Sequence, residues 1–551
     1  MPSRALLVLL AAATSLFFVD LGRSSIWDAN EAFYVETPRE MMERGDYLFP
    51  TFNYEPRLNK PVLSYWMVAG LYNVFGVSVG VQRFGIAIGG VLMIAAAMCL
   101  GWLASADGRP GLRPAKAGLY GGGALLAGIG LALDPRFVMF SRRIFIDIWI
   151  SVFMAMTLTF FALSERFPER RRLLLILMYV SVGLGVLTKG PIAAVLPALV
   201  FAIYLIAYRE LGRAKQMMIP LGVLIVLAIV VPWYVALYQR DGWTYILSFF
   251  IGENVGRYTS GIGFQSPRGL AFYLPVVLAD AFPLSLFLIA AGVLWWRGRT
   301  RIQTLLWLWI LVIAAFFSFS HDKQDLYILP VVPAVAALGA AAIVRRDQIP
   351  RIVWATTLLL ALLLAVAGTG VLYAFQSTGQ AYGLEGARLL GAVAAVGGIA
   401  SALLVVAWRV MTGLVAALIT LLAANWLLVA RILPGVEPHK PVPALTAYLR
   451  PRLGPQDVLA TYNVALPSMV YYLQRHVNVY YSPEPFVNDA SATRRMFGVL
   501  SENDYAALQD QIGAKTCVVH RVPAFEVKLK QVLGRAPLPN LVLITNQCEG
   551  R

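Results

Sequence analysis

Residues 352–375, IVWATTLLLALLLAVAGTGVLYAF, form an uncharged and largely apolar run between RRDQIPR (345–351) and QSTGQAYGLEG (376–386). As a helix rising about 1.5 Å per residue the run is about 36 Å long, enough to cross roughly 30 Å of hydrocarbon. Lipid offers no partner to a backbone amide, so only a helix satisfies such a segment. The two flanks differ: one carries three arginines, the other neither Lys nor Arg. Positive flanks stay on the cytoplasmic side, so this one stretch sets both the fold class and an orientation.

Outward from it the pattern repeats. Candidate spans are 4–21, 83–104, 117–133, 144–164, 172–188, 190–208, 217–238, 270–295, 302–319, 326–343, 352–375, 388–408 and 410–432, which predicts a polytopic α-helical membrane protein with about thirteen transmembrane helices. Composition agrees: 59% of the 551 residues are hydrophobic and 14% charged, too little polar surface for a soluble chain of this size. Segment 62–77 is apolar but short and aromatic, and reads as an interfacial helix. Arg4 before an apolar run invites a signal-peptide reading, but no small-residue cleavage site follows and the run counts as the first span. Residues 1–432 are thus a membrane domain with a first external loop at 22–82. Residues 433–551 are a small soluble α/β domain, with VLATYN, VNVYY, TCVVHRV and LVLITN as its strands.

Alternate loops are basic: ADGRPGLRPAK, ERFPERRR, RELGRAK, RGRTR and RRDQIPR. The formal net charge of +16 is explained by this asymmetry, without nucleic acid as a partner. Segments 22–82, 239–269 and 433–551 then lie outside the cytoplasm, with all four histidines and with Cys517 and Cys548. An oxidising compartment permits a bridge between these two cysteines.

The first loop is richest in chemistry. Asp28, Glu31 and Tyr34 are spaced by three, and Glu36 follows, so a helix would bring the first three near one face. They read either as a carboxylate cluster for a cation, sugar or proton, or as a capped first turn with Asp28 at its start. His321, in SHDKQD with Lys323, would join Asp28 and Glu31 around a divalent metal, the one cofactor considered. Lys60 precedes the interfacial helix and suits a lipid phosphate, or simple snorkelling. Arg136, Arg142 and Arg143 stand at the external end of a span, against the charge bias, which asks for an anionic ligand; Asp147 finds a partner in Arg143 at i−4. Lys189, in VLTKGP, is a lone ammonium at the outer interface. Arg257, Tyr258 and Arg268 sit in a glycine-rich loop suited to phosphate. Nucleotide-binding, zinc-protease and nucleophile-elbow motifs are absent, and span interiors hold few ionisable residues, which weakens a coupled carrier.

WDANEAFYVETPREMMERGDY followed by LNKPVLSYW, LTKGP and DKQDLYILP resembles the bacterial aminoarabinose transferases that modify lipid A, within the polyprenyl-phosphate glycosyltransferases of GT-C type. The resemblance implies a multi-pass inner-membrane enzyme with a periplasmic tail. It would move 4-amino-4-deoxy-L-arabinose from undecaprenyl phosphate to a lipid A phosphate, giving resistance to polymyxin and other cationic peptides. By motif, Lys60, Arg257 and Tyr327 would hold the donor phosphate, joined by Arg143, with Tyr34, Lys189 and Lys323 in the cavity and Glu484 reaching back from the tail. Asp28, Glu31 and Asp147 would be the catalytic carboxylates. The family's Asp-Glu pair is Asn30-Glu31 here. Either Asp28 supplies the acid function, the change inactivates, or an anionic acceptor phosphate needs no strong base. A protein O-glycosyltransferase and a lipid-linked sugar flippase are the rivals. The expected enzyme is a monomer.

Overall fold

The computed structural model describes residues 3–28, 30–57, 59–106, 121–143, 146–259, 268–376, 384, 386–524 and 538–548. Among them, nine helices are long and apolar enough to cross a membrane, from Val79–Ala106 to Val410–His439. The expected span 270–295 is broken: Leu270–Asp280 and Leu284–Gly298 meet at 112°, with Pro283 at the break, where the ring removes a donor and crowds the preceding turn. Counted as one span, this pair makes ten. Three further expected spans are apolar helices of only 10–17 residues, Arg4–Ser15, Gly122–Ala132 and Ile192–Ala207, so length and composition do not reach thirteen. The first stops early because the chain turns repeatedly between Leu16 and Ser24; the start of the second lies outside the described residues.

Packing between spans rests on small residues. A Cβ at Gly368 would overlap the backbone of Ala395, so Pro350–Ala374 and Gly386–Val406 lie almost backbone to backbone. At one end of the bundle Glu165 binds Arg213 (2.6 Å), and Glu210 binds both Arg213 and Arg301 (each 2.6 Å). These pairs tie three of the basic loops together on a single face.

At the other end the first loop folds as helix Asn30–Arg44, a short antiparallel hairpin of β1 (Thr51–Phe52) and β2 (Glu55–Pro56), and helix Leu63–Phe75. The last of these has 13 residues, about 20 Å, too short to span. The tail is a five-stranded mixed sheet of β3 (Val458–Tyr462), β4 (Asn478–Tyr480), β5 (Met496–Ser501), β6 (Cys517–Pro523) and β7 (Asn540–Thr545), in the order β4-β3-β5-β7-β6. Strands β3, β4 and β5 run parallel, while β7 pairs antiparallel with β5 and β6. Successive residues face opposite layers. Leu459, Phe497 and Leu543 pack with Met469 and Val470 of helix Ser468–Leu473, whereas Ala460, Met496 and Ile544 pack with Phe486 of helix Pro483–Ser491. Strand β5 escapes the sequence pattern because it is covered on both faces and reads as an unbroken apolar run, MFGVL. Cys517 and Cys548 form a disulfide.

Candidate active site

Among the described residues, two sizeable cavities open at the end of the bundle where the first loop and tail sit. The first, of about 400 Å³, lies between spans and has largely apolar walls that include Ile150, Val195, Phe316 and Leu326. Its charged groups come from five places, one of them Asp322 in the segment after helix Arg301–Ser318. Lys60 leads into helix Leu63–Phe75, Asp147 opens helix Asp147–Arg166, Lys189 ends helix Arg171–Lys189, and Glu253 lies in the π-helical turn Ser248–Gly256. Gly190 stops the Lys189 helix: its φ of +115° suits glycine, and a Cβ there would lie 2.8 Å from the Phe249 ring. Lys60 pairs with Glu253 at 3.1 Å, and its carbonyl accepts from the Tyr245 hydroxyl (2.6 Å), which fixes the backbone beneath the ammonium. Lys189 pairs with Asp147 and stands 4.8 Å from the Tyr327 ring centre. A phosphate entering here would exchange for Glu253 and Asp147 on two ammonium groups, an anion replacing anions in a poorly solvated place where charge-assisted bonds are strong.

The second cavity, of about 550 Å³, lies between the first loop and the tail. Trp27, Asp28 and Arg143 form one wall; Lys440, Asn463 and Leu541 form another. The Trp27 ring carries two cations, Lys440 at 4.0 Å and the Arg143 guanidinium at 4.7 Å. Asp28 precedes helix Asn30–Arg44 and keeps open surface toward the cavity, but its carboxyl oxygens accept from Ser468 N and Oγ, each at 2.7 Å. Burial pushes this carboxyl up to about 6, against the lowering effect of the Ser468 bonds. Burial likewise brings the Lys440 ammonium down to about 8, opposed by Glu437. Glu31, 1% exposed, is pushed up by burial, but Arg83 at 2.9 Å and the nearby Arg143 prevail and hold it below the usual carboxylate range.

Several expectations are corrected by this geometry. The helix begins at Asn30, so Asp28 lies outside it and does not share a helical face with Glu31 and Tyr34. Asp147 pairs with Lys189 across helices, not with Arg143, which lines the second cavity instead of the donor-phosphate site expected for it. The neighbouring arginines serve the protein itself: Arg136 binds Asp280 and Asp325, and Arg142 donates to the Leu16 and Val19 carbonyls. Tyr34 stacks on Tyr65 (6.0 Å) in an aromatic cluster beside the first cavity and is not one of its walls. Buried Lys323 donates to the Ser320 carbonyl at 2.6 Å and does not line the cavity. His321 is exposed, and among the described residues no group of three His, Cys, Asp or Glu could hold a metal, so Asp28, Glu31 and His321 do not form that set. Glu484 is exposed in the first turn of Pro483–Ser491; the tail meets the first loop through other residues. The side chains of Arg257 and Asn30 lie outside the described residues.

The sequence reading missed Arg83, which donates to the Leu21, Ser24 and Ser25 carbonyls as well as to Glu31. An arginine at the external end of a span, in VQRFG, was the available signal. It also missed Glu253, Ser468 and Lys440, which no local spacing connects to the loop they serve.

Residues 114–245 match the family of dolichyl-phosphate-mannose-protein mannosyltransferases. An undecaprenyl phosphate-α-4-amino-4-deoxy-L-arabinose arabinosyl transferase of Pseudomonas paraeruginosa is 31% identical over 447 residues, 79% of this chain and 76% of that one. A second transferase of that description, from Pseudomonas fluorescens, is 27% identical over 540 residues, 96% of this chain and 81% of its own. In fold the chain matches the crystal structure of ArnT from Cupriavidus metallidurans bound to undecaprenyl phosphate, with a TM-score of 0.79 at 20% identity, covering 100% of this chain and 99% of that one.

Proposed function

Because the chain belongs to the undecaprenyl phosphate-aminoarabinose arabinosyl transferase family and is a multi-pass membrane glycosyltransferase, we propose that it moves 4-amino-4-deoxy-L-arabinose from undecaprenyl phosphate to a lipid A phosphate. The observation that carries this reading is the first cavity, where Lys60 and Lys189 stand at the head of an apolar chamber between spans. A polyprenyl chain suits the walls, and its phosphate suits the two ammonium groups and the Tyr327 side. The bond between the anomeric carbon and the donor phosphate oxygen breaks as an acceptor phosphate oxygen bonds that carbon. The electron pair leaves on undecaprenyl phosphate, whose growing charge Lys60 and Lys189 stabilise. The acceptor phosphate approaches from the second cavity past Arg143. Glu31 and Asp147 are held by Arg83 and Lys189, which leaves Asp28 as the carboxylate open to the cavity, suited to orient the sugar's ammonium group. The basic loops on the opposite face support a cytoplasmic reading of that face, and with it a periplasmic one for both cavities and the tail of an inner-membrane enzyme. Arabinose modification there would lower lipid A charge and weaken cationic peptides such as polymyxin.

The test is a membrane assay with labelled undecaprenyl phosphate-aminoarabinose, read by mass in the lipid A fraction and by label in protein. A pentosamine increment on lipid A is the expected result. Label in protein instead, as the mannosyltransferase match would favour, moves the acceptor assignment; donor crossing the bilayer uncleaved would leave only a flippase.

A further inference from the structure

Asn30 cannot ionise, and the open carboxylate is Asp28, so what holds Asp28 decides how the acidic loop works. Among the described residues both bonds to its carboxylate come from one residue of the tail, Ser468, whose N–H meets Oδ1 and whose hydroxyl meets Oδ2, each at 2.7 Å. Ser468 is fully buried, and the next two residues, Met469 and Val470, are pinned in the tail core beside Leu459 and Leu543. It cannot shift without the domain. The domain is fastened to the same loop at independent points. The Tyr472 hydroxyl accepts from Ile26 N (2.8 Å), Asn53 bonds Val477, and Lys440 binds Ser24 Oγ, the Ser25 carbonyl and Glu437. Lys440 spends its three donors on those acceptors, so it gives charge to the cavity but no hydrogen bond to Asp28.

We propose that Ser468 is a positioning residue for transfer: from the tail it orients Asp28 toward the second cavity, which makes the soluble domain a working part of the active site. This rests on reading Asp28 as the acidic residue of the reaction. The other charged groups around it are Glu31 from its own loop, Arg83 and Arg143 from the membrane half, and Lys440 from the tail. Glu31 raises the carboxyl and Lys440 lowers it, while the two Ser468 bonds are the largest lowering contribution.

The experiment compares the full-length chain with Ser468→Ala and Tyr472→Phe in detergent or lipid discs from pH 5 to 8.5, measuring release of undecaprenyl phosphate. That readout counts donor cleavage whatever the acceptor. With the Ser468 hydroxyl gone, the acid limb moves up by about one pH unit, since a hydrogen bond to the charged form no longer favours it. At pH 8 the rate falls in part, since one of the two bonds that orient Asp28 is gone, while the donor KM stays near the parent's. Tyr472→Phe weakens the same interface without touching Asp28 and leaves the limb in place. An unmoved limb in Ser468→Ala, or an equal movement in both variants, overturns the proposal. A parent-like profile in Asp28→Asn overturns the underlying reading instead, and the two failures are distinct. Should Ser468→Ala not accumulate, Ser468→Cys keeps a near-equal volume with a weaker donor and asks the same question.

Discussion

The two cavities differ in how their charges are held. In the first, each lysine has a carboxylate for a partner, Lys60 with Glu253 and Lys189 with Asp147, inside apolar walls supplied by spans. In the second, the groups come from the first loop, the tail and, for Arg143, the membrane half; Lys440 also has a carboxylate partner in Glu437, but bonds to serines, a backbone carbonyl, an aromatic ring and a buried arginine fix the set as well. The first arrangement suits exchange of one anion for another, as a lipid phosphate requires. The second is a rigid polar frame around an opening. On the proposed reading, recognition of the lipid tail and of the polar headgroups would be divided between two parts of the chain that fold in different solvents.

The sharpest way to break this contrast is to remove what holds the first loop beside the second cavity. Arg83→Leu leaves Glu31 buried without the Arg83 ion pair and takes a donor from each of three loop carbonyls, and it should cost about 3–5 kcal/mol of stability. Thermal unfolding in detergent checks this, with a large drop in Tm expected. A variant as stable as the parent would mean that the first loop does not depend on the frame described for it.

Lys60→Ala acts on one cavity only. The fold should survive, because the residue stands in the loop before helix Leu63–Phe75 and its partner Glu253 keeps its opening to the cavity, while transfer falls about 100-fold, the usual effect of removing one group that stabilises developing charge. Transfer and melting temperature measured on one preparation separate this variant from Arg83→Leu. Intact transfer would remove the first cavity as the donor-phosphate site.

These two residues also show what the sequence could tell. Lys60 was legible because it sits in a short motif, LNKP, directly before an apolar aromatic helix. Fold class was legible for a similar reason: a run such as 352–375 carries its whole meaning locally, in length and charge. Arg83, Glu253 and Ser468 were not, since each acts on a partner 52, 193 or 440 positions away, a relation that periodicity does not encode. Asp147 was singled out correctly as needing a partner, but the helical i−4 rule named Arg143, and tertiary packing supplied Lys189. The bend at Pro283 and the doubly covered β5 are comparable cases, where an apolar run was visible and its geometry was not.

A milder probe is pH. If transfer requires ionised Asp28, whose carboxyl lies near 6, the rate is full above that value and falls as the pH drops through it, about tenfold by pH 5. Asp28→Asn, which cannot titrate, should lose the acid limb along with most of the rate. The first cavity should not contribute to this limb, so donor KM should stay flat between pH 5 and 7. A KM that rises in parallel with the loss of rate would place the titrating group beside Lys60 and Lys189 and undo the division between cavities.

The smallest expected effect belongs to Glu484. Its helix, Pro483–Ser491, packs through Phe486 and Ala490 on the layer of the sheet formed with Ala460, Met496 and Ile544. Ser468, which touches Asp28, opens a helix on the opposite layer, with Leu459, Phe497 and Leu543. A side chain exposed on one face of a sheet cannot serve a cavity beneath the other face without moving the domain. Glu484 can still favour its own helix, since a carboxylate in the first turn contributes roughly 0.3–1 kcal/mol against the helix dipole. Glu484→Gln should therefore lower the tail's melting temperature slightly and leave transfer within about twofold of the parent, well inside the tenfold step that one lost charge-assisted bond gives. A tenfold loss of transfer at unchanged stability would show that the tail meets its substrate with the face containing Phe486, and the contacts through Ser468 and Tyr472 would then describe anchoring alone.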